Sequence, residues 1–464
     1  MIKNCITLCL LIFAFPVFCE EIELSIDTQQ TTHLSFTAEN NCIYSFSYSY
    51  DMSSWNQFGA QVLGSGSPVF LKHRALNTNS AFYSIASAPA DNPQTSRSFY
   101  LGFTLFPYDV TAVAQSYIRQ HIAEDADIVA LHFDGGVPWE ESLRGTLDFS
   151  NSATVYNANF IYDIVQAYNS ISPGHKVYLA ITPINIDRTG LAYYRGASEN
   201  MPLDPSDPLV QGSLTHPWHT YRFNHDNVKT AFLNYALTMI ALFQPDYVAI
   251  GIESNLLLTT AAGTPAEVWS DYLELHQYIY TSVKTLYPDL PVFCSLLGAA
   301  LLDGYRAEDD HALQIAGLQQ IMPYSDFFAV SLYPYLTVYL AESIPATLYD
   351  DLFSLSTKPI VVTETGYPAE TFSVLNGSIV FNGTEQKQLD YFTDLLAYAN
   401  QHDFKFIINF VLRDYDQLFD FLVSIGQGTD TQKLWRDTGL YNHNGAGRPA
   451  LQLWKDYQQQ PVRN

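Results

Sequence analysis

Two glutamates stand where apolar runs of strand length end. Glu364 closes Lys358-Pro-Ile-Val-Val-Thr-Glu and leads into Thr-Gly-Tyr-Pro368, and Glu253 closes Asp246-Tyr-Val-Ala-Ile-Gly-Ile-Glu ahead of Ser254 and Asn255. Acids held at the ends of rigid elements can be carried to one place by the fold. Two carboxyl groups, one protonated and one ionised, are what cleavage of a glycosidic bond requires. One protonates the leaving oxygen while the other attacks the anomeric carbon, at a separation of about 5 to 5.5 Å when the configuration is retained. A single acid at a strand end serves equally well to cap a helix or pair with a cation. Two at corresponding strand ends favour chemistry.

The elements that must position them follow from the apolar pattern. Runs at Tyr100 to Leu105, Ile128 to Phe133, Lys176 to Ile181, Tyr247 to Ile252, Val292 to Leu297, Phe327 to Leu332, Ile360 to Thr363 and Phe406 to Phe410 alternate with amphipathic stretches of helix length. Unbroken apolar strands followed by helices predict a parallel sheet buried on both faces, and this number of units predicts a (β/α)8 TIM barrel over 98–464. The last inter-strand helix puts Leu389, Phe392, Leu395, Leu396 and Ala399 on one face, with Thr384 as its cap. In such a barrel the strand C-termini form the reaction face, which is where Glu253 and Glu364 fall. Residues 20–88 instead alternate polar and apolar with Gly/Ser/Asn turns and predict a small all-β sandwich. The Pro/Ala/Ser-rich stretch at 89–97 reads as the linker. Within the sandwich, Trp55 could contact carbohydrate or simply pack.

With 464 residues, 47% hydrophobic content and a formal charge of -25, the chain is expected to be globular. It is also unsuited to nucleic acid or anionic membrane, so a neutral polymer or small ligand fits better, and with the paired acids a carbohydrate substrate and a monomer are the expectation. Residues 1–19 carry one Lys before an apolar core and a polar switch at Glu20, the pattern of a secretory signal peptide. The expected location is secreted or periplasmic, with anchoring as a lipoprotein at Cys19 the alternative. Cys42 and Cys294 sit in apolar runs and read as buried thiols.

The stretches Ile250-Gly-Ile-Glu-Ser-Asn255, Asp326-Phe-Phe-Ala-Val-Ser-Leu-Tyr-Pro-Tyr335 and Val361-Val-Thr-Glu-Thr-Gly-Tyr-Pro368 together resemble the clan A retaining glycoside hydrolases, most nearly the endo-β-1,4-galactanases of family 53. The resemblance implies that Glu253 is the acid/base, Glu364 the nucleophile and Tyr333 the group that hydrogen-bonds the nucleophile. It covers residues 240–370, with a weaker match at Gly439 to Ala450. The chain departs from the family in four places, one of them strand three, where Ile181-Thr-Pro-Ile-Asn185 finds no match. The position before the acid/base is Ile252 where members carry Asn, leaving Asn255 as the nearest replacement. Strand two ends in His132-Phe-Asp134 without the usual Arg, and strand eight offers Asn409 and Phe410 where a platform Trp is usual.

His132, Asp134, Trp139, Asn255, Tyr335, Asn409 and Trp435 are the candidate substrate contacts. The indoles of Trp139, Trp218 and Trp435 could equally be core. His216 and His219 flank Trp218 without the further ligands zinc needs, and neither a metal nor a cofactor is expected. The rival reading is a catalytically inactive carbohydrate-binding TIM barrel, prompted by Ile252 and the altered strand eight. A surface adhesion protein using the sandwich is a third.

Overall fold

The computed structural model describes residues 9–10, 22–27, 31–74, 81–91, 95–147, 149, 158–260, 264–338 and 344–464. Nine parallel strands form one sheet. In space it runs Val292–Phe293, Tyr247–Ala249, Lys176–Ile181, Ile128–Phe133, Tyr100–Thr104, Phe406–Asn409, Ile360–Thr365, Phe328–Leu332 and Ser295–Leu297. Its two ends are halves of one run, interrupted at Cys294, so the sheet closes on itself. All eight anticipated runs are present and the barrel is the expected one.

Two layers of side chains account for the apolar strands. Ile128, Ala130, Tyr178, Ala249, Phe293, Val361 and Phe406 fill the barrel interior. Val129, Leu131, Leu179, Val248, Val330 and Val362 face the surrounding helices. The helix Glu385–Gln401 begins at Thr384, whose side chain accepts from the Lys387 N–H, and buries Phe392, Leu395, Leu396 and Ala399 as its periodicity requires. Among the described residues no helix is long and apolar enough to cross a membrane.

Before the barrel, Glu23–Ile26, Thr31–Thr37 and Pro68–Arg74 make an antiparallel sheet, and Cys42–Ser49, Val62–Leu63 and Phe82–Pro89 belong to a second. Leu34, Phe36, Tyr44, Phe46, Val69, Leu71 and Tyr83 lie between them. The second sheet also takes in Val462–Arg463, parallel to Val62–Leu63, so the chain's last strand leaves the barrel to cover a sandwich edge. Cys42 and Cys294 are both free and buried. Of the expected leader only Cys9–Leu10 is described, as a short strand beside Phe82 and Tyr83.

The sandwich docks on the end of the barrel opposite Glu253 and Glu364. Asp246, just ahead of the fourth strand, receives Arg74 at 3.2 Å, Lys72 at 3.5 Å and Lys176 at 3.5 Å. Arg74 also donates to the carbonyls of Phe243, His175 and Gln244. Gly59 and Gly174, both at positive φ, come so close that a Cβ on Gly59 would lie 2.8 Å from the Gly174 carbonyl. Burial alone would raise the Asp246 carboxyl, but Lys176, Lys72 and Arg74 hold it well below the usual carboxylate range. A carboxyl depressed on folding contributes stability above its unfolded value near 3.9 and loses that contribution as pH falls. Asp246→Ala strands three cations at this junction and is expected to destabilise the protein by about 3 to 5 kcal/mol at neutral pH. Urea unfolding at pH 7 and pH 3 checks this, with the deficit smaller at the lower pH, below the unfolded value.

Candidate active site

Glu364 faces the barrel mouth because of an irregularity in its strand. Val361 points inward and Val362 outward, so strict alternation would turn Glu364 toward the helices. The register against the sixth strand shifts instead. Val330 pairs with Val362 and Ser331 with Glu364, leaving Thr363 as an extra residue. Such a bulge re-aims the side chains that follow it. Past it, Thr365 faces the helix layer, bonding the Leu332 carbonyl at 2.7 Å and the Tyr391 hydroxyl at 2.5 Å, and Glu364 turns inward.

Glu253 reaches the same mouth by a bend. The fourth strand stops at Ala249, and Gly251 passes so near the helix Pro265–Leu286 that a Cβ there would lie 2.2 Å from the Tyr272 hydroxyl. Glu253 itself has φ +46°, a left-handed conformation rare for a side-chain-bearing residue. Its N–H donates to Ser295 Oγ at 3.0 Å.

Around the two acids stand His132, Asp134, Arg188 and Tyr333. His132 Nδ1 is 3.7 Å from Glu364 Oε1, and its buried Nε2 has no hydrogen-bond partner. Arg188 Nη2 is 3.5 Å from Glu253 Oε2. The buried Tyr333 hydroxyl makes no hydrogen bond of good geometry in this state, yet it lies near enough to Glu364 for each to influence the other's ionisation. Burial, then the charges of Glu253 and Asp134, push the Glu364 carboxyl up to about 8, against the opposing effects of Arg188 and Tyr333. Burial lowers His132, which therefore favours its neutral form, with Asp134 and Glu253 opposing and Arg188 reinforcing. A carboxyl raised in this way can hold a proton and give it up within the mouth.

Half-buried aromatic rings flank this group. Trp435 lies edge-on to Tyr333 at 6.1 Å, arriving from the segment after the eighth strand. Phe106 packs against Phe410 at 5.1 Å and against Tyr415 at 5.1 Å. A cavity of about 420 Å³ begins at His132 and Asp134 and runs outward between the helices Ala112–Asp125 and Ala158–Asn169.

Of the sequence candidates, His132, Asp134, Tyr333 and Trp435 therefore gather with Glu253 and Glu364, and four do not. Trp139 is fully buried, stacked on Trp218 at 5.3 Å with its indole N–H on the Ala192 carbonyl, and is a core residue. Asn255 is fully buried and spends its amide on Leu297 N–H at 2.7 Å, the Leu297 carbonyl at 3.1 Å and Gln314 at 2.9 Å, so it does not replace the missing Asn. Tyr335 is buried and donates to the Leu434 carbonyl at 2.8 Å. Asn409 is buried and donates to the Val411 carbonyl at 2.7 Å, bracing the turn after strand eight. Ile252 packs into the barrel interior. Arg188 was missed because it lies in a loop, and its only signal was a cation following the third strand.

Among the described residues, Asp414, Asp416 and Asp437 could supply oxygens within 4.8 Å of one another to a metal ion. Arg448 at 2.7 Å from Asp414 and Arg436 at 2.8 Å from Asp437 already pair with two of these carboxylates.

No family model and no curated protein sequence matches the chain. Solved structures do. A GH5_18 protein from Streptomyces cattleya in complex with Manb1-4GlcNAc aligns at 13% identity and TM-score 0.50, over 79% of this chain and 83% of that one. A GH5_18 protein from Bifidobacterium longum, also in complex with Manb1-4GlcNAc, aligns at 12% and 0.50, over 79% and 80%. A fungal β-1,4-galactanase aligns at 15% and 0.47, over 77% and 98%. These structural neighbours are glycoside hydrolases, at identities where the likeness is one of fold. They do not single out the galactanase family.

Proposed function

We propose that the chain is a retaining β-glycoside hydrolase, exported and monomeric, acting on an oligosaccharide or polysaccharide, with a galactanase-like endo-enzyme as the finer version. The reading rests on one observation: two separate strands deliver Glu253 and Glu364 to one barrel mouth, close enough for the charge of one to raise the other. In the first step the Glu364 carboxylate attacks the anomeric carbon while Glu253 gives its proton to the departing glycosidic oxygen. In the second, Glu253 takes a proton from water, the hydroxide oxygen attacks the same carbon, and Glu364 leaves as a carboxylate. Trp435, Phe106 and Phe410 offer ring faces and edges to a sugar, and the two carboxyls need no cofactor for these steps.

One observation favours the opposite division of labour. Burial and the neighbouring charges raise the Glu364 carboxyl, and Arg188 contacts Glu253, which would suit Glu364 as acid and Glu253 as nucleophile. Both versions retain configuration. Incubation with aryl β-glycosides and plant polysaccharides, with proton NMR of the first product formed, tests the reading. The β-anomer is expected. An α-product overturns double displacement, and glycan binding without hydrolysis favours the inactive carbohydrate-binding barrel.

A further inference from the structure

Arg188 enters the mouth from the loop after the third strand, and neither step of the displacement makes or breaks a bond at it. It is buried at 8% exposure, with Nη1 on the Asn185 carbonyl at 3.1 Å and Nη2 on Glu253 at 3.5 Å. Its buried Nε–H has no partner among the described residues, so the guanidinium keeps a free donor. Its backbone φ is +57°, beside a Glu253 at +46°. Two side-chain-bearing residues in left-handed backbone, in contact through their side chains, persist only where their surroundings enforce it, and such positions gather at functional sites. The enforcing contacts are present. Asn185 Oδ1 accepts from the Thr189 N–H at 2.8 Å, the Arg188 carbonyl accepts from the Thr260 hydroxyl at 2.5 Å, and Ser295 holds the Glu253 N–H.

We propose that Arg188 is the positioning residue of the carboxylate pair: its Nη2 fixes the Glu253 carboxyl, and its permanent charge favours the ionised carboxylate that the pair needs beside its protonated acid. This rests on reading the pair as glycosidase carboxyls. The groups acting on Glu364 are Glu253 from strand four, Asp134 and His132 from strand two, Tyr333 from strand six and Arg188. Arg188 is the permanent cation of this set, and it favours the Glu364 carboxylate. Removing its charge must therefore move Glu364 titration to higher pH.

The test compares Arg188→Met, Arg188→Gln and Arg188→Lys in the full chain. Glutamate carboxyl carbons are 13C-labelled and titrated by NMR, with Glu364→Gln identifying its resonance. The Glu364 midpoint is expected to rise by about one pH unit in the Met and Gln variants and to stay near wild type in the Lys variant. The limb of the kcat/KM profile that reports Glu364 should move with it. An unmoved midpoint in the uncharged variants, or a Lys variant matching them, overturns the proposal. Two uncharged variants guard against one failing to fold. If the wild type hydrolyses no glycoside, the glycosidase reading fails while the NMR titration still decides the role of Arg188.

Discussion

Glu364→Gln is expected to lose turnover by at least about 10^4-fold while becoming more resistant to unfolding at alkaline pH. The amide matches the carboxyl in shape but cannot form a glycosyl ester, so the loss reflects chemistry and leaves the packing intact. The gain in stability follows from the same burial that raises Glu364 to about 8. An unfolded glutamate titrates near 4.3, so between roughly pH 4 and pH 8 the folded chain binds the extra proton and stability falls as pH rises. The variant lacks that slope. Its advantage should be small at pH 5 and reach the order of a few kcal/mol above pH 8. Thermal melts at pH 5 and 9 beside activity measurements decide the matter. Turnover above a hundredth of wild type would remove Glu364 from the chemistry, and a less stable variant at pH 9 would contradict the electrostatics.

A buried carboxyl that costs stability, placed where the proposed chemistry needs an acid, is the kind of local conflict expected at an active site. The same conflict marks what sequence could and could not reveal. The barrel strands were legible because burial on both faces demands uninterrupted apolar runs, and the cap at Thr384 because a hydroxyl before a periodic stretch has one economical use. Glu364 was found at the right place for an incomplete reason. Its strand runs two residues further than the apolar pattern indicated, and the bulge at Thr363 that turns it inward leaves no trace in composition. Trp139 and Asn255 misled because a loop tryptophan and a strand-end amide look the same whether they face a ligand or a neighbouring helix. What separates them is the partner, Trp218 and Ala192 for one, Leu297 and Gln314 for the other, and partners far apart in sequence are set by tertiary packing. Arg188 was invisible for the same reason, since its contact with Glu253 spans 65 positions. The sandwich edge covered by Val462–Arg463 likewise depends on where the fold brings the chain end.

Replacing Glu253 by Ala is expected to separate two classes of substrate. If Glu253 donates the proton, substrates with poor leaving groups should lose about 10^2 to 10^4-fold in kcat/KM, because their oxygen cannot depart unprotonated. Activated aryl glycosides, which leave as stable phenolates, should still form the glycosyl-enzyme and then stall, since no base remains to activate water. Azide needs no such base. It should restore turnover on the activated substrates and yield a glycosyl azide of β configuration, through attack on the intermediate held by Glu364. If Glu253 were instead the nucleophile, as its contact with Arg188 allows, azide would enter the vacated space on the opposite face and give the α-azide. The sign of one stereocentre therefore assigns both residues, independently of which carboxyl holds the proton at rest. An Ala variant equally impaired on every substrate and indifferent to azide would mean that Glu253 only shapes the mouth, and that the carboxylate pair is not the catalytic unit.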